Sequence, residues 1–135
     1  MKTIVIYYSF SGHSKALAEK YANELSLDIA QMKNRKLFGK LKAYTAGCFA
    51  AIRGKAWPIA IDINLSAYEH IILFAPVWAS NVPPAVNSFI ANLPQGKTVS
   101  VKLVSASGHS GCKDAVEAKI KSSTCIMDSF EDIKG

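Results

Sequence analysis

An α/β domain built on a parallel sheet is the fold class that the sequence predicts. Three observations predict it. Strand-like apolar runs alternate with segments of helical period along the 135 residues. A small, hydroxyl-rich turn, Ser9-Phe10-Ser11-Gly12-His13-Ser14, joins the first such run to the first helix. No linker, low-complexity tract or solenoid repeat interrupts the alternation, and the length suits one domain spanning residues 1–135.

The elements follow in order. Lys2 to Tyr8 reads as a buried first strand. Ser14 to Leu25 reads as a helix, with Leu17, Ala18, Tyr21 and Leu25 on one face. Leu27 to Met32 suits a short second strand. From Lys36 to Arg53 the residues Leu37, Leu41, Tyr44, Cys48 and Ile52 form one apolar stripe. This predicts an amphipathic helix broken near Gly47 and ended by Gly54 and Pro58. His70 to Ala75 is the central strand. Pro83 opens the next helix, which runs to about Leu93 and is stopped by Pro94-Gln95-Gly96. Thr98 to Ser105 is a fourth strand, Gly111 to Lys121 a helix, and Thr124 to Asp128 a short fifth strand.

Composition narrows the classes of function. Half the residues are hydrophobic, enough for a core. The longest apolar stretch, Ile71 to Ala79, falls well short of the roughly 18 to 20 residues of a membrane span. No signal-peptide pattern opens the chain, so the expected compartment is the cytoplasm. Three widely spaced cysteines, Cys48, Cys112 and Cys125, include no CxxC pair, so no metal site is expected and free thiols are. Cys125 is read as a core residue. Cys112 lies in a glycine- and serine-rich loop at a helix start, where a thiolate would be favoured.

The net charge of +6 is unevenly spread. Seven basic residues, Lys33, Arg35, Lys36, Lys40, Lys42, Arg53 and Lys55, lie between Ile29 and Ile61 without one acid. The rest of the chain is nearly neutral. This segment is either a solvated surface or a landing site for an acidic partner, an anionic cofactor or anionic lipid. No nucleic-acid motif accompanies it, and no nucleic-acid partner is expected.

Three loops carry the candidate chemistry. In the first, backbone N–H groups of Ser9 to Ser14 and the following helix N-terminus can cradle a phosphate, with Ser9, Ser11 and Ser14 as hydroxyl donors. Ser11 or Ser14 can equally serve as a helix cap. In the second, Pro76-Val77-Trp78-Ala79-Ser80-Asn81-Val82-Pro83-Pro84 leaves the central strand. A tryptophan is poorly explained by the core in a loop expected to be exposed. Its ring can stack on an aromatic ligand, cover the sheet edge or meet a partner. In the third, Ser105-Ala106-Ser107-Gly108-His109-Ser110 echoes residues 9 to 14 after another strand. In a parallel sheet all three loops lie along one edge, where ligands bind at the switch point of strand order.

The motif Ser9-x-Ser11-Gly12-x-Ser14 resembles the phosphate loop of the flavodoxin family, with His13 where that family often has Asn. The Pro76-x-Trp78 loop is similar to the one that many flavodoxin-like proteins place against the isoalloxazine ring. The resemblance implies a three-layer sandwich with a five-stranded parallel sheet of order 2-1-3-4-5. It implies flavin mononucleotide (FMN) as cofactor. Ser9, Phe10, Ser11, Gly12, His13 and Ser14 would hold its phosphate. Pro76, Val77, Trp78, Ala79, Ser80 and Asn81 would pack on the ring. Ser105, Ala106, Ser107 and Gly108 would meet its pyrimidine edge. Tyr44, Phe49 or Trp57 would supply a second aromatic wall. The implied function is electron transfer to a redox partner protein or a small acceptor, with an FMN-dependent NAD(P)H or quinone-type oxidoreductase as the alternative.

Besides His13, the chain departs from the family pattern in the segment Leu37 to Trp57 and at its last residues. Seven residues follow Asp128, too few for the helix that normally covers one sheet face, and the acids Asp128, Glu131 and Asp132 fall at that end of the chain. A homodimer covering the face, or a trimmed sheet, is expected. His13 and His109 each sit beside a serine, but no acidic orienter is placed for either. They are read as loop residues rather than catalytic ones.

Overall fold

The computed structural model describes residues 2–8, 12–34, 59–61 and 63–135. Strands β1 (Thr3–Tyr7), β2 (Asp28–Gln31), β5 (His70–Pro76), β6 (Thr98–Ser105) and β7 (Ile126–Lys134) form one sheet in the order β2-β1-β5-β6-β7. All four pairings are parallel. Counted along the chain, this is the expected order 2-1-3-4-5. A separate ribbon pairs β3 (Lys33–Asn34) with β4 (Ile59–Ala60) antiparallel. The helices are α1 (His13–Leu25), α2 (Pro84–Ala91) and α3 (Lys113–Ser122). The expected helix from Lys36 to Arg53, with Tyr44, Phe49 and Trp57 nearby, lies outside the described residues.

Strand alternation sorts the core into two layers. Ile4, Ile6, Ile71, Leu73, Val99, Val101 and Leu103 face one way and pack with Val86, Phe89, Ile90, Val116 and Ile120 of α2 and α3. Val5, Tyr7, Ile72, Phe74 and Val104 face the other way and pack with Ala18 and Ala22 of α1. Helix α1 ends without glycine. Ser26 takes φ 53°, its N–H donates to Asn23 O at 3.3 Å, and Leu27 N donates to Ala22 O at 2.9 Å. That is a Schellman closure. Thr124 closes α3 in the same way, with φ 59° and Cys125 N on Ile120 O at 3.2 Å.

The last strand corrects the sequence expectation. It spans nine residues, Ile126 to Lys134, so Asp128, Glu131 and Asp132 belong to the sheet rather than to a tail. The register against β6 shifts between Val99 and Ser100, which pair with Met127 and Ser129 and leave Asp128 as the extra residue of a bulge. That bulge aims Asp128 at a hydroxyl. Ser100 Oγ donates to Asp128 Oδ1 at 2.7 Å and contacts His70 Nε2 at 2.7 Å, and His70 Nε2 lies 3.5 Å from Asp128 Oδ2. Beside them Lys102 Nζ donates to Glu131 Oε2 at 2.8 Å and lies over the Tyr21 ring, 5.2 Å from its centroid. Tyr21 in turn leans on Phe74. The α1 side of β6 and β7 therefore carries a polar strip where a packed helix would need apolar residues. A polar face does not call for an apolar cover.

Candidate functional site

The chain runs from β1 outward to β2, then crosses to β5 on the other side of β1. Strands β1 and β5 thus flank the switch point, and the helices that follow them, α1 and α2, pack on opposite faces of the sheet. The loop after β6 is next along the same edge.

After β1, Tyr8 is buried and Ser9, Phe10 and Ser11 lie outside the described residues. Gly12 is the N-cap of α1, with φ 98° and ψ −10°. Its carbonyl accepts from Ala16 N at 3.0 Å. A side chain here would be strained by the left-handed backbone, although nothing lies within 4 Å of where its Cβ would stand. The turn therefore reaches α1 over an open, exposed glycine, and an anion can approach the helix N-terminus closely there. His13 is exposed and Ser14 is buried, 2% exposed.

After β5, the loop does not project as expected. Trp78 N donates to Asn81 O at 2.8 Å and Asn81 N donates to Trp78 O at 3.0 Å. Ala79 and Ser80 between them have φ 50° and 59°. This is a two-residue turn of the mirror-image type. It folds the chain back so that the Trp78 indole enters the core and is only 2% exposed. The expectation that this tryptophan is poorly explained by the core is corrected. Its ring meets Tyr8 edge-on, with centroids 5.9 Å apart and planes at 71°. Tyr8 follows β1 and Trp78 follows β5, so this aromatic pair ties together the two loops at the switch point. Tyr8 was missed from sequence because it ends a strand pattern like any apolar residue. Ala79 and Ser80 form the exposed tip, whereas Pro76, Val77 and Asn81 are half-buried.

After β6, the hydroxyls turn inward on their own loop. Gly108 N donates to Ser105 Oγ at 3.0 Å and His109 N donates to Ser107 Oγ at 3.2 Å. Cys112 N donates to Ser110 Oγ at 3.4 Å. Gly108 has φ 76°, and a Cβ on it would stand 3.2 Å from Lys134 Cβ. Gly135 N donates to Ser105 O at 2.9 Å. The loop is therefore braced on the end of β7. Ala106, Ser107 and His109 remain exposed. The echo of residues 9 to 14 is one of sequence alone. Helix α1 begins directly after Gly12, whereas α3 begins five residues after Gly108.

Cys112 caps α3 but is buried. Burial pushes its thiol up, the Ser110 hydrogen bond opposes this, the Asp132 charge adds to it and Lys119 subtracts from it. The net shift is upward, so the expected thiolate is not favoured. Burial likewise pushes Lys119 down, and its ammonium donates to Asn87 Oδ1 at 2.8 Å. Cys125 is buried as expected. Among the described residues no three His, Cys, Asp or Glu side chains gather as metal ligands, and neither His13 nor His109 has a carboxylate partner. No described helix is long and apolar enough to cross a membrane.

No family model matches the chain. An uncharacterized protein of Archaeoglobus fulgidus is 27% identical over 95 residues, 69% of this chain, and the chain spans 58% of that relative's length. Among solved structures, a flavoprotein of Lactobacillus acidophilus in complex with FMN is similar at a TM-score of 0.79. It is 21% identical, over 96% of this chain and 91% of that one. Oxidised flavodoxin 2 of Bacillus cereus aligns at a TM-score of 0.59 and 17% identity, over 99% and 84%. General stress protein 14 of Treponema denticola in complex with FMN aligns at 0.53 and 11%, over 99% and 86%. Strand order, crossovers and these likenesses agree that the chain is a flavodoxin-like protein by fold.

Proposed function

We propose that residues 1–135 act as one domain that binds FMN noncovalently in the crevice between the loops after β1 and β5 and serves as a redox protein. The observation that carries this reading is the left-handed Gly12 at the start of α1, open on its Cβ side, beside the switch point. Such a cradle takes a phosphate without needing a basic side chain. Two of the similar structures hold FMN.

In this reading Ser9 to Ser14 bind the phosphate, with Gly12 allowing close backbone approach. The exposed Ala79-Ser80 turn offers backbone donors and acceptors to the ring edge, and buried Trp78 holds that turn in place from below. Ser105 to Gly108 form the far wall, fixed by Lys134 and Gly135. The flavin supplies the electron chemistry; the protein orients it and sets its potential through nearby hydrogen bonds and charges. The reading includes a cytoplasmic location, which the free buried Cys112 and Cys125 support. Electron transfer to a partner protein or small acceptor completes it.

The test is a titration of the protein into FMN and into riboflavin, followed by flavin fluorescence. The reading predicts tighter binding of FMN than riboflavin, and loss of that preference in Gly12→Val. Equal binding of both flavins would remove the phosphate cradle. A second reading, an FMN-dependent oxidoreductase using a nicotinamide donor and a quinone-type acceptor, is favoured by the basic balance of the chain. Steady NAD(P)H oxidation with quinone and no added reductase selects it over a shuttle.

A further inference from the structure

The backbone ladder between β1 and β5 stops just where the loops of the proposed FMN site begin. Tyr8 N donates to Phe74 O at 3.0 Å. In a parallel pair the next rung would run from the N–H of residue 76 to Tyr8 O. Residue 76 is proline, which has no N–H to give. Beyond Tyr8 the spacing of the two loops therefore falls to side chains.

The side chains that meet there are Tyr8 and Trp78. They are 4% and 2% exposed, and both belong to the core on the α2 and α3 side of the sheet. Their rings meet edge to face, with centroids 5.9 Å apart. Such a contact has a preferred distance and tilt, so it fixes geometry as well as adding attraction. Tyr8 is bonded to Ser9, the first residue of the phosphate loop, and Trp78 to Ala79, the first residue of the turn tip. A single ring contact thus spans the two loops. The tip depends on that anchor. Ala79 and Ser80 hold left-handed backbones, which persist only where the surroundings over-determine them.

We infer that Tyr8 is a positioning residue of the flavin site: its ring sets how far the Ala79-Ser80 turn stands from the phosphate loop. The inference rests on the FMN reading. FMN engages both loops at once, so its phosphate adds to ring binding only as far as the loops are correctly spaced beforehand. Riboflavin has no phosphate and does not sense that spacing. The phenol ring acts through Trp78 and Ser9, not on the flavin itself.

The full chain and its variants are titrated into FMN and into riboflavin, and the ratio of the two affinities is read from flavin fluorescence. Tyr8→Leu stays apolar but loses the ring, and its ratio falls by about three- to tenfold, the range of one edge-to-face contact. Tyr8→Phe restores the ring and keeps the ratio within about twofold of the parent. Trp78→Leu removes the contact from the other side and lowers the ratio likewise, which keeps the test open if Tyr8→Leu does not fold. Ile120→Val lies in the same core, beside Cys125 at the opposite end of the sheet. It lowers stability and leaves the ratio unchanged. A parent that binds both flavins equally overturns the FMN reading, and the role of Tyr8 with it. A parent that prefers FMN, with Tyr8→Leu or Trp78→Leu just as selective, overturns the role of Tyr8 alone. So does a ratio that falls equally in Ile120→Val, or one that falls as far in Tyr8→Phe as in Tyr8→Leu.

Discussion

Trp78 and Asn81 exchange both backbone hydrogen bonds across a two-residue turn, at 2.8 and 3.0 Å. The residues between them, Ala79 and Ser80, hold left-handed backbones that favour glycine. A single left-handed non-glycine residue costs roughly 1–2 kcal/mol. Ala79→Gly should therefore raise the urea midpoint, with a gain of up to about 1 kcal/mol after the greater chain entropy of glycine is counted. A drop in the midpoint would mean that the Ala79 methyl makes contacts of its own.

The turn exists to bury an indole. Trp78→Ala is expected to cost ~3–5 kcal/mol in chemical denaturation, the range for a large aromatic removed from a core. A tryptophan presented to solvent for stacking would cost within ~0.5 kcal/mol. Denaturation curves without any flavin separate the two cases.

Ser100 is buried between His70 and Asp128. Ser100→Ala leaves both partners facing a methyl group and should destabilise by ~1–3 kcal/mol. If the variant is as stable as the parent, the three groups are a surface decoration rather than a cross-strand tie.

Cys112 links stability to alkaline pH. Its folded thiol titrates above its ordinary range because it is buried. The unfolded chain loses that proton first, at about pH 8.5. Stability from this group is thus full below that pH and is lost as pH rises toward the folded value. The difference in stability between the protein and Cys112→Ala should shrink over that window. Thiol reagents at neutral pH should label Cys112 slowly until the protein is unfolded. Fast labelling of the native protein would contradict its burial.

Much of the fold was legible in the sequence because buried parallel strands and amphipathic helices have distinct periods. The strands around Val5, Leu73 and Val101 and the strand order implied by family resemblance all stand in the structure. The length of β7 was hidden by its bulge. Met127 and Phe130 share a face although they are three residues apart, so no period of two is visible across Asp128. Trp78 was misread because a loop after a strand is ordinarily exposed, and no residue pair such as Asn-Gly marked the turn that folds it inward. The strand-to-helix turn around Gly12 was legible, but its cap was expected on Ser11 or Ser14 and falls on Gly12, which caps α1 without a side-chain hydrogen bond. The internal bonding of Ser105 to Ser110 was not legible, because the same six residues fold differently when the helix starts later.

Binding of FMN beside Gly12 and the Ala79-Ser80 turn underlies every functional step proposed above. The most direct measurement is the visible absorption spectrum of the purified protein after incubation with FMN and desalting. With FMN bound there, the protein fraction stays yellow, with flavin absorption in a fixed ratio to protein. A colourless protein fraction would contradict it and leave the fold without its expected cofactor.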